Sequence, residues 1–307
     1  MGMKVSVFGG TGFVGKYIID ELLKKEYEPH ILVRPGNIFR LESEKCTLYI
    51  GDIENNVVIS NMLQKTEAVI YNIGLIRENI SKGMSFEKLH FEGVRRTVRL
   101  SEKLGIKKYI LMSANGVQSN GTPYQKSKYL GEQFLKNSQL NWTIIRPSLI
   151  FGNPRGKMEF CLQIKKSMIS KPIPAPLFYN GLIPMDAGRF TFTPVHVTNI
   201  AQMFVKALTA RSIKGKILEI GGEKEILWKQ LLTIISTASG KKKLLIPVPV
   251  FPVKVIAGIF GRFQWFPVTI DQLNMLLKGN ICSAKALKDF GIEPIPFNET
   301  NLNYLNE

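Results

Sequence analysis

Short apolar runs that alternate with stretches of helical spacing predict an α/β fold, a doubly wound parallel sheet with a smaller C-terminal α+β lobe. Three observations carry this expectation. Strand-like and helix-like segments take turns through the first half of the chain, as parallel strands joined by helical crossovers require. A glycine turn, Gly9-Gly10-Thr11-Gly12-Phe13-Val14-Gly15, separates the first strand from the first helix. The 307 residues, 45% hydrophobic and 21% charged, are enough for a sizeable core and a second lobe.

The first strand is Val5-Ser6-Val7-Phe8, and Tyr17 to Leu23 has helical spacing. Strand, glycine turn and helix together form the context of a dinucleotide-binding fingerprint, which makes the fold Rossmann-like. One glycine lets the chain turn sharply. Another lets backbone N–H groups reach a pyrophosphate, and a third lets helix pack close to strand. The helix N-terminus then offers unpaired N–H groups and its positive dipole end to the phosphates. Gly9, Thr11, Gly12, Phe13 and Val14 are the candidate contacts here. A tight strand-to-helix turn with no ligand is the plainer reading of the same glycines.

The second strand, His30 to Val33, ends at Arg34, where NAD-preferring sites carry an acidic residue for the adenosine ribose. A guanidinium suits a 2′-phosphate, which it grips through parallel charge-assisted hydrogen bonds. The position therefore favours NADP(H) over NAD(H), with Phe39, Arg40 and Lys45 close by in sequence. Leu48 to Ile50 is a third strand leading to Gly51-Asp52-Ile53. There Asp52 can accept from the adenine amine or cap a helix beginning near Glu54, and Ile53 can stack on the ring. Ala68 to Gly74 is the fourth strand, and Ile73 and Gly74 at its end would border the cofactor. A long helix from about Phe86 to Lys103 leads to the fifth strand, Lys108 to Met112.

That strand ends at Ser113-Ala114-Asn115-Gly116, where ligands sit in such sheets. A helix through Leu135 opens with Tyr124-Gln125-Lys126-Ser127-Lys128. Tyr124 and Lys128, four apart, share a helix face. An ammonium beside a phenol stabilises the phenolate and fits the phenol for acid–base work, and the same lysine can hold a ribose. A solvated helix face gives the same spacing. The sixth strand, Trp142 to Ile145, ends in Arg146-Pro147-Ser148, with Pro147 beside the expected nicotinamide.

The second half reads less sharply. Residues 153 to 189 are irregular and proline-rich around a helix from Phe160 to Ile169 and form the expected substrate-facing lobe. Thr193 to Val197 turns into a helix that includes Ile200 to Leu208, and His196 there is expected to be structural. Lys216 to Ile220 is a strand and Trp228 to Ser239 an amphipathic helix. Pro247 to Pro252 is expected to be extended, with an apolar helix over Val253 to Phe266. Residues 244–268 either pack the small lobe as a core helix or meet an anionic membrane surface or a membrane-protein complex. The domains are expected at 1–152 and 153–307, with about 190–222 returning to the main sheet.

Cys46, Cys161 and Cys282 follow no metal spacing and read as reduced, buried thiols. His30, His90 and His196 form no cluster, so no metal is expected. The net charge of +17 favours anionic partners, yet the basic residues are scattered and no nucleic-acid module is recognisable. Met1-Gly2 formally opens a myristoylation motif, but Val5 and Ser6 belong to a strand. No uninterrupted apolar run reaches the length of a transmembrane helix, and no signal peptide is recognisable. A cytoplasmic location is expected, or a peripheral one on the inner face of the membrane.

The glycine turn, Gly51-Asp52, Ser113, Tyr124 with Lys128, and Arg146-Pro147-Ser148 occur in the order of the extended or atypical short-chain dehydrogenase/reductases, and the chain resembles that family over nearly its whole length. Within it, three segments are similar to the branch containing the dinucleotide-binding accessory subunit of respiratory complex I and its bacterial relatives. They are Phe192-Thr193-Pro194-Val195-His196-Val197, Leu245 to Phe251, and Asp289-Phe290-Gly291-Ile292-Glu293-Pro294. The resemblance implies an NADP(H)-binding domain with a smaller lobe closing over it. It also implies catalytic roles for Tyr124, Lys128 and Ser113. Two departures stand out. Ser113 sits one residue before the reactive slot, which Ala114 fills, and His90 stands where a relay Asn is common. The readings are an oxidoreductase acting on a small molecule with Tyr124 as general acid/base, a non-catalytic NADPH-binding accessory or assembly protein of a respiratory membrane complex, and a sugar-nucleotide epimerase or dehydratase.

Overall fold

The structure is a computed structural model and describes residues 2–36, 46–261, 263 and 268–306. Phe39, Arg40 and Lys45 beside the expected phosphate site, and Arg262 and 264–266 of the expected apolar helix, lie outside the described residues. The chain forms two compact units. The first comprises Met1–Pro147, Val197–Ile220 and Lys285–Glu293; the second comprises Ser148–His196, Gly221–Ala284 and Pro294–Glu307. The expected division after residue 152 thus falls instead after Pro147, where the sixth strand ends, and the returning chain is 197–220 with 285–293 rather than about 190–222.

The first unit opens with β1 (Lys4–Phe8), α1 (Phe13–Lys24), β2 (Glu28–Val33), β3 (Thr47–Ile50), α2 (Asn56–Leu63) and β4 (Ala68–Tyr71). It continues through α3 (Gly93–Lys103), β5 (Lys108–Met112), α4 (Pro123–Lys136) and β6 (Asn141–Pro147). The second unit follows with β7 (Ile150–Phe151), α5 (Phe160–Ile164), β8 (Ala175–Tyr179), β9 (Thr191–Phe192) and β10 (Val195–His196). The chain returns to the first unit as α6 (Val197–Thr209) and β11 (Lys216–Ile220). It resumes the second as β12 (Ile226–Leu227), α7 (Trp228–Ala238), β13 (Leu245–Pro249), α8 (Val250–Phe260) and α9 (Ile270–Leu277), and α10 (Lys285–Asp289) goes back to the first.

A seven-stranded parallel sheet in the order β11-β6-β5-β4-β1-β2-β3 organises the first unit. Strand order reverses at β1, which lies between β4 and β2, and ligands bind at such a switch point. β4 and β5 are buried throughout, as strands covered on both faces must be. β4 stops at Tyr71, short of the expected Gly74, because its partner β1 ends at Phe8 and the chain turns away at Gly9. The expected helix from Phe86 opens with a π turn over Glu87–Glu92 before α3 proceeds regularly. Such turns widen a helix locally and recur at functional sites.

In the second unit, β8 and β13 form a separate two-stranded parallel sheet. Both contain proline, which a two-stranded sheet tolerates because each strand has an outer edge that needs no N–H. Trp228 anchors this unit's core, fully buried, its indole N–H donating to the Pro176 carbonyl at 2.9 Å. The expected extended run through Pro252 stops at Pro249. α8 begins at Val250, and Pro252 sits in its first turn, where a missing N–H is not needed. α8 packs on the second unit along one face only: Val250 and Ala257 are buried and Val253 lies against the core, while the rest of the helix is more exposed.

Candidate functional site

The glycine turn at the end of β1 is shaped by close contacts. Gly9 has φ +88°, and a Cβ there would lie 2.8 Å from the Asn72 carbonyl carbon. A Cβ on Gly15 would lie 2.1 Å from the Gly9 carbonyl oxygen, so the start of α1 presses against the turn. Gly12 N–H donates to Gly9 O at 3.1 Å and closes the loop, with Thr11 inside it. Gly12 is also the N-cap of α1 and offers no side-chain acceptor. The first-turn N–H groups, those of Phe13 and Val14 among them, therefore keep their capacity for an anion, backed by the dipole of a twelve-residue helix. These residues fit the pyrophosphate of a dinucleotide.

Three further candidates lie at neighbouring strand ends. Arg34 follows β2, exposed, and its Nη1 donates to the weak acceptor Met84 Sδ at 3.4 Å. Asp52 follows β3. Its Oδ1 accepts from Glu54 N–H at 3.3 Å and faces Lys88 Nζ at 3.6 Å. It does not cap α2; Asn55 does, accepting from Val58 N–H at 3.1 Å. Ile53 is buried in the core of the first unit, against the stacking role expected of it, because the chain dips inward between β3 and α2. Gly74 borders open space, and Pro147 is buried at the end of β6, its carbonyl accepting from Asn115 N–H at 3.0 Å.

Beside β4 and β5 a small cleft is lined by Tyr71, Ile73, His90, Met112, Ser113 and Lys128. α4 delivers Tyr124 and Lys128 to this region. A capping box starts it: Gln125 N–H donates to Thr122 Oγ1 and Thr122 N–H donates to Gln125 Oε1 at 2.9 Å, with Pro123 in the first turn. Lys128 Nζ lies 5.7 Å from the centre of the Tyr124 ring and donates to the Met112 carbonyl at 3.2 Å. Burial lowers the Lys128 ammonium to about 8, with Glu132 opposing the shift. Burial raises the Tyr124 phenol above its ordinary value. The expected lowering of the phenol by Lys128 is thus absent, since desolvation outweighs an ammonium that stands over the ring and bonds elsewhere.

His90 fills the position of the relay Asn and is itself buried. Its Nε2 accepts from Leu75 N–H at 3.1 Å and its Nδ1 lies 3.0 Å from Ser127 Oγ. Ser127 in turn donates to the Tyr124 carbonyl at 2.9 Å. With Nε2 an acceptor, the Nδ1–H tautomer is assigned from its partners, and burial followed by the nearby Lys128 holds the imidazole neutral. Its ring stacks on Phe86 and meets Tyr124 edge-on at 5.3 Å. The arrangement ties the loop after β4 to the helix that carries Tyr124.

Ser113, expected to orient a substrate, lines the cleft but is engaged elsewhere in this structure. Its hydroxyl donates to Glu132 Oε1 at 2.5 Å, and Glu132 is completely buried. Arg146 grips the same carboxylate through Nε at 2.9 Å and Nη2 at 2.6 Å, and reaches Glu219 at 3.3 Å. The group is structural: a buried carboxylate satisfied by a serine and a two-pronged guanidinium. Ala114, next in the chain, has no hydroxyl to offer. The sequence reading missed Glu132, although Tyr124, Lys128 and Glu132 recur every four residues along one face of α4.

In the second unit Glu159 caps α5, buried, accepting from Cys161 and Leu162 N–H and from the Tyr304 hydroxyl at 3.2 Å. Burial raises its carboxyl to about 7. His196 packs edge-on against Phe151 and is lowered to about 4 by burial. Among the described residues no group of three or more His, Cys, Asp or Glu is placed to hold a metal ion.

Residues 9–171 match a protein family described as NAD(P)H-binding. The chain is 26% identical to the NADH-ubiquinone oxidoreductase 40 kDa subunit, mitochondrial, of Neurospora crassa, over 99% of this chain and 79% of the relative. It is 22% identical to the photosystem II assembly factor Ycf39 of Trieres chinensis, over 88% of this chain and 80% of that protein. Among solved structures, the UDP-glucose 4-epimerase of Thermus thermophilus in complex with NAD superposes with a TM-score of 0.72. It shares 17% identity, over 99% of this chain and 98% of that one, which shows the common fold.

Proposed function

Because the chain belongs to the NAD(P)H-binding family, within the extended short-chain dehydrogenase/reductases, we propose that it is an accessory or assembly protein of a respiratory membrane complex that holds NADP(H) as a lasting part of its fold. The observation that carries this reading is the fate of Ser113. The hydroxyl that would polarise a substrate carbonyl is spent on Glu132, and Ala114 supplies none. The dinucleotide is held by Gly9, Thr11, Gly12, Phe13 and Val14 at its pyrophosphate, with Arg34 at the 2′-phosphate and Lys128 at the nicotinamide ribose. Asp52 and Gly74 border it. Relatives named as a complex subunit and as an assembly factor support the same reading.

A second reading, an oxidoreductase, is favoured by the survival of Tyr124 and Lys128 on one face of α4. A bound nicotinamide would supply hydride chemistry. Tyr124 would hold the transferable proton at its phenol oxygen, and Lys128 would orient the ribose. Nicotinamide fluorescence separates the two. Release over hours, and no turnover of carbonyl substrates that Tyr124→Phe abolishes, supports the accessory protein. Exchange within seconds together with a Tyr124-dependent turnover supports the enzyme and overturns the first reading. Preference for NADH over NADPH would overturn the assignment of Arg34.

A further inference from the structure

The second unit presents an apolar helix face within chain that carries no carboxylate. α8 turns Val250, Val253 and Ala257 inward. Its opposite face holds Phe251, Val255 and Ile259 at four-residue spacing, with Ile256 alongside. Phe251 is 77% exposed and Ile259 55%. A helix lying on a protein in water presents polar residues outward, and α8 has one charge, Lys254. The apolar face extends beyond the helix. β8 and β13 are parallel with Tyr179 opposite Pro249, so the chain after β8 leaves the sheet at the end where α8 begins. That chain exposes Leu182 (98%), Ile183 and Met185.

The chain that builds this face is rich in lysine, and its acids lie only at the margins, Asp186 after Met185 and Asp271 at the start of α9. From Glu225 to Asp271 the sequence contains no intervening Asp or Glu, and its described residues include Lys229, Lys241, Lys242, Lys243 and Lys254. From Glu159 to Asp186 it again contains no intervening acid, with Lys165, Lys166 and Lys171. The two stretches meet at the other end of the same sheet, where Lys243 Nζ donates to the Lys171 carbonyl and Lys241 Nζ donates to Ser170 Oγ at 3.1 Å.

We propose that this face docks the protein on an anionic lipid bilayer, with α8 lying along the interface. An exposed apolar face and a cluster of lysines are the two signals that together give stable attachment to such a surface. At eleven residues α8 is about 16 Å long, far short of a membrane span. Among the described residues no helix is long and apolar enough to cross a membrane. The inference is independent of whether the dinucleotide is turned over.

The test is flotation of the full chain with phosphatidylcholine vesicles, with and without phosphatidylglycerol, at low and high salt. The expected result is flotation with the anionic vesicles, roughly tenfold weaker on neutral ones or at high salt. Phe251→Glu and Ile259→Glu, both outward-facing, should abolish flotation while leaving NADPH binding intact. Lys242→Glu combined with Lys254→Glu should weaken it about tenfold or more. Three results would overturn the proposal: no flotation by protein that still binds NADPH, equal flotation on both vesicles, or a dimer in solution that Phe251→Glu dissociates. Because NADPH binding is read separately, failure here leaves the cofactor assignment standing.

Discussion

At the scale of single residues, two buried carboxylates behave in opposite ways. Glu132 has every partner it needs, in Ser113 and Arg146. Glu132→Gln leaves the guanidinium facing a neutral amide in a buried site. The expected cost is about 3 kcal/mol, read from the denaturant midpoint, with Ser113→Ala costing about 1. Glu159 is strained instead, its carboxyl raised from 4.5 to about 7 by burial. A carboxyl raised in the folded state stabilises it fully below the unfolded value, and that contribution is lost as pH climbs from about 4.5 through about 7. Glu159→Gln keeps an acceptor for the Cys161 and Leu162 amides. It should flatten the pH dependence in this window by up to about 3 kcal/mol relative to the parent chain, measured as stability at pH 4, 6 and 8. A parent chain whose stability does not fall across that window would contradict the assignment. Neither behaviour was legible in the sequence: Glu132 finds Ser113 and Arg146 on other elements, and Glu159, though its amide donors are close in sequence, is raised by a burial that only tertiary packing sets.

At the scale of elements, most of the sheet was legible. The β5 limits are the expected ones, and β1 and β6 differ only at their ends, since apolar runs between glycine and proline punctuation mark buried parallel strands. The turn after β1 was legible because few residues fit it. Gly15→Ala places a methyl 2.1 Å from a backbone oxygen that cannot step aside. We expect this variant to lose about 2 kcal/mol or more and its NADPH binding together, by thermal melting and titration. What the sequence hid was the direction in which polar side chains point. Ser113 was placed correctly at the end of β5, yet its hydroxyl turns into the core because Glu132 and Arg146 wait there. The exposure of α8 was hidden for the reverse reason: an apolar composition signals burial without naming what will bury it.

At the scale of the whole molecule, cofactor and stability are linked. Anything that binds the folded chain alone stabilises it, by about 2.7 kcal/mol at a hundred times its dissociation constant. NADPH should therefore raise the melting temperature more than equimolar NADH, and Arg34→Glu should erase the difference by weakening NADPH about tenfold or more. An unchanged preference in that variant would place the 2′-phosphate elsewhere. The discontinuous first unit has a consequence for biosynthesis. A ribosome that has delivered β1 to β6 has not yet made β11, α6 or α10, which follow only after the second unit has begun. Until then β6 is an open edge of a buried, apolar sheet, and Arg146 lacks Glu219. The nascent chain must wait with that edge uncovered, so truncation after Pro147 should yield aggregate rather than a small soluble domain, and the order of synthesis makes chaperone protection most needed between residues 147 and 220.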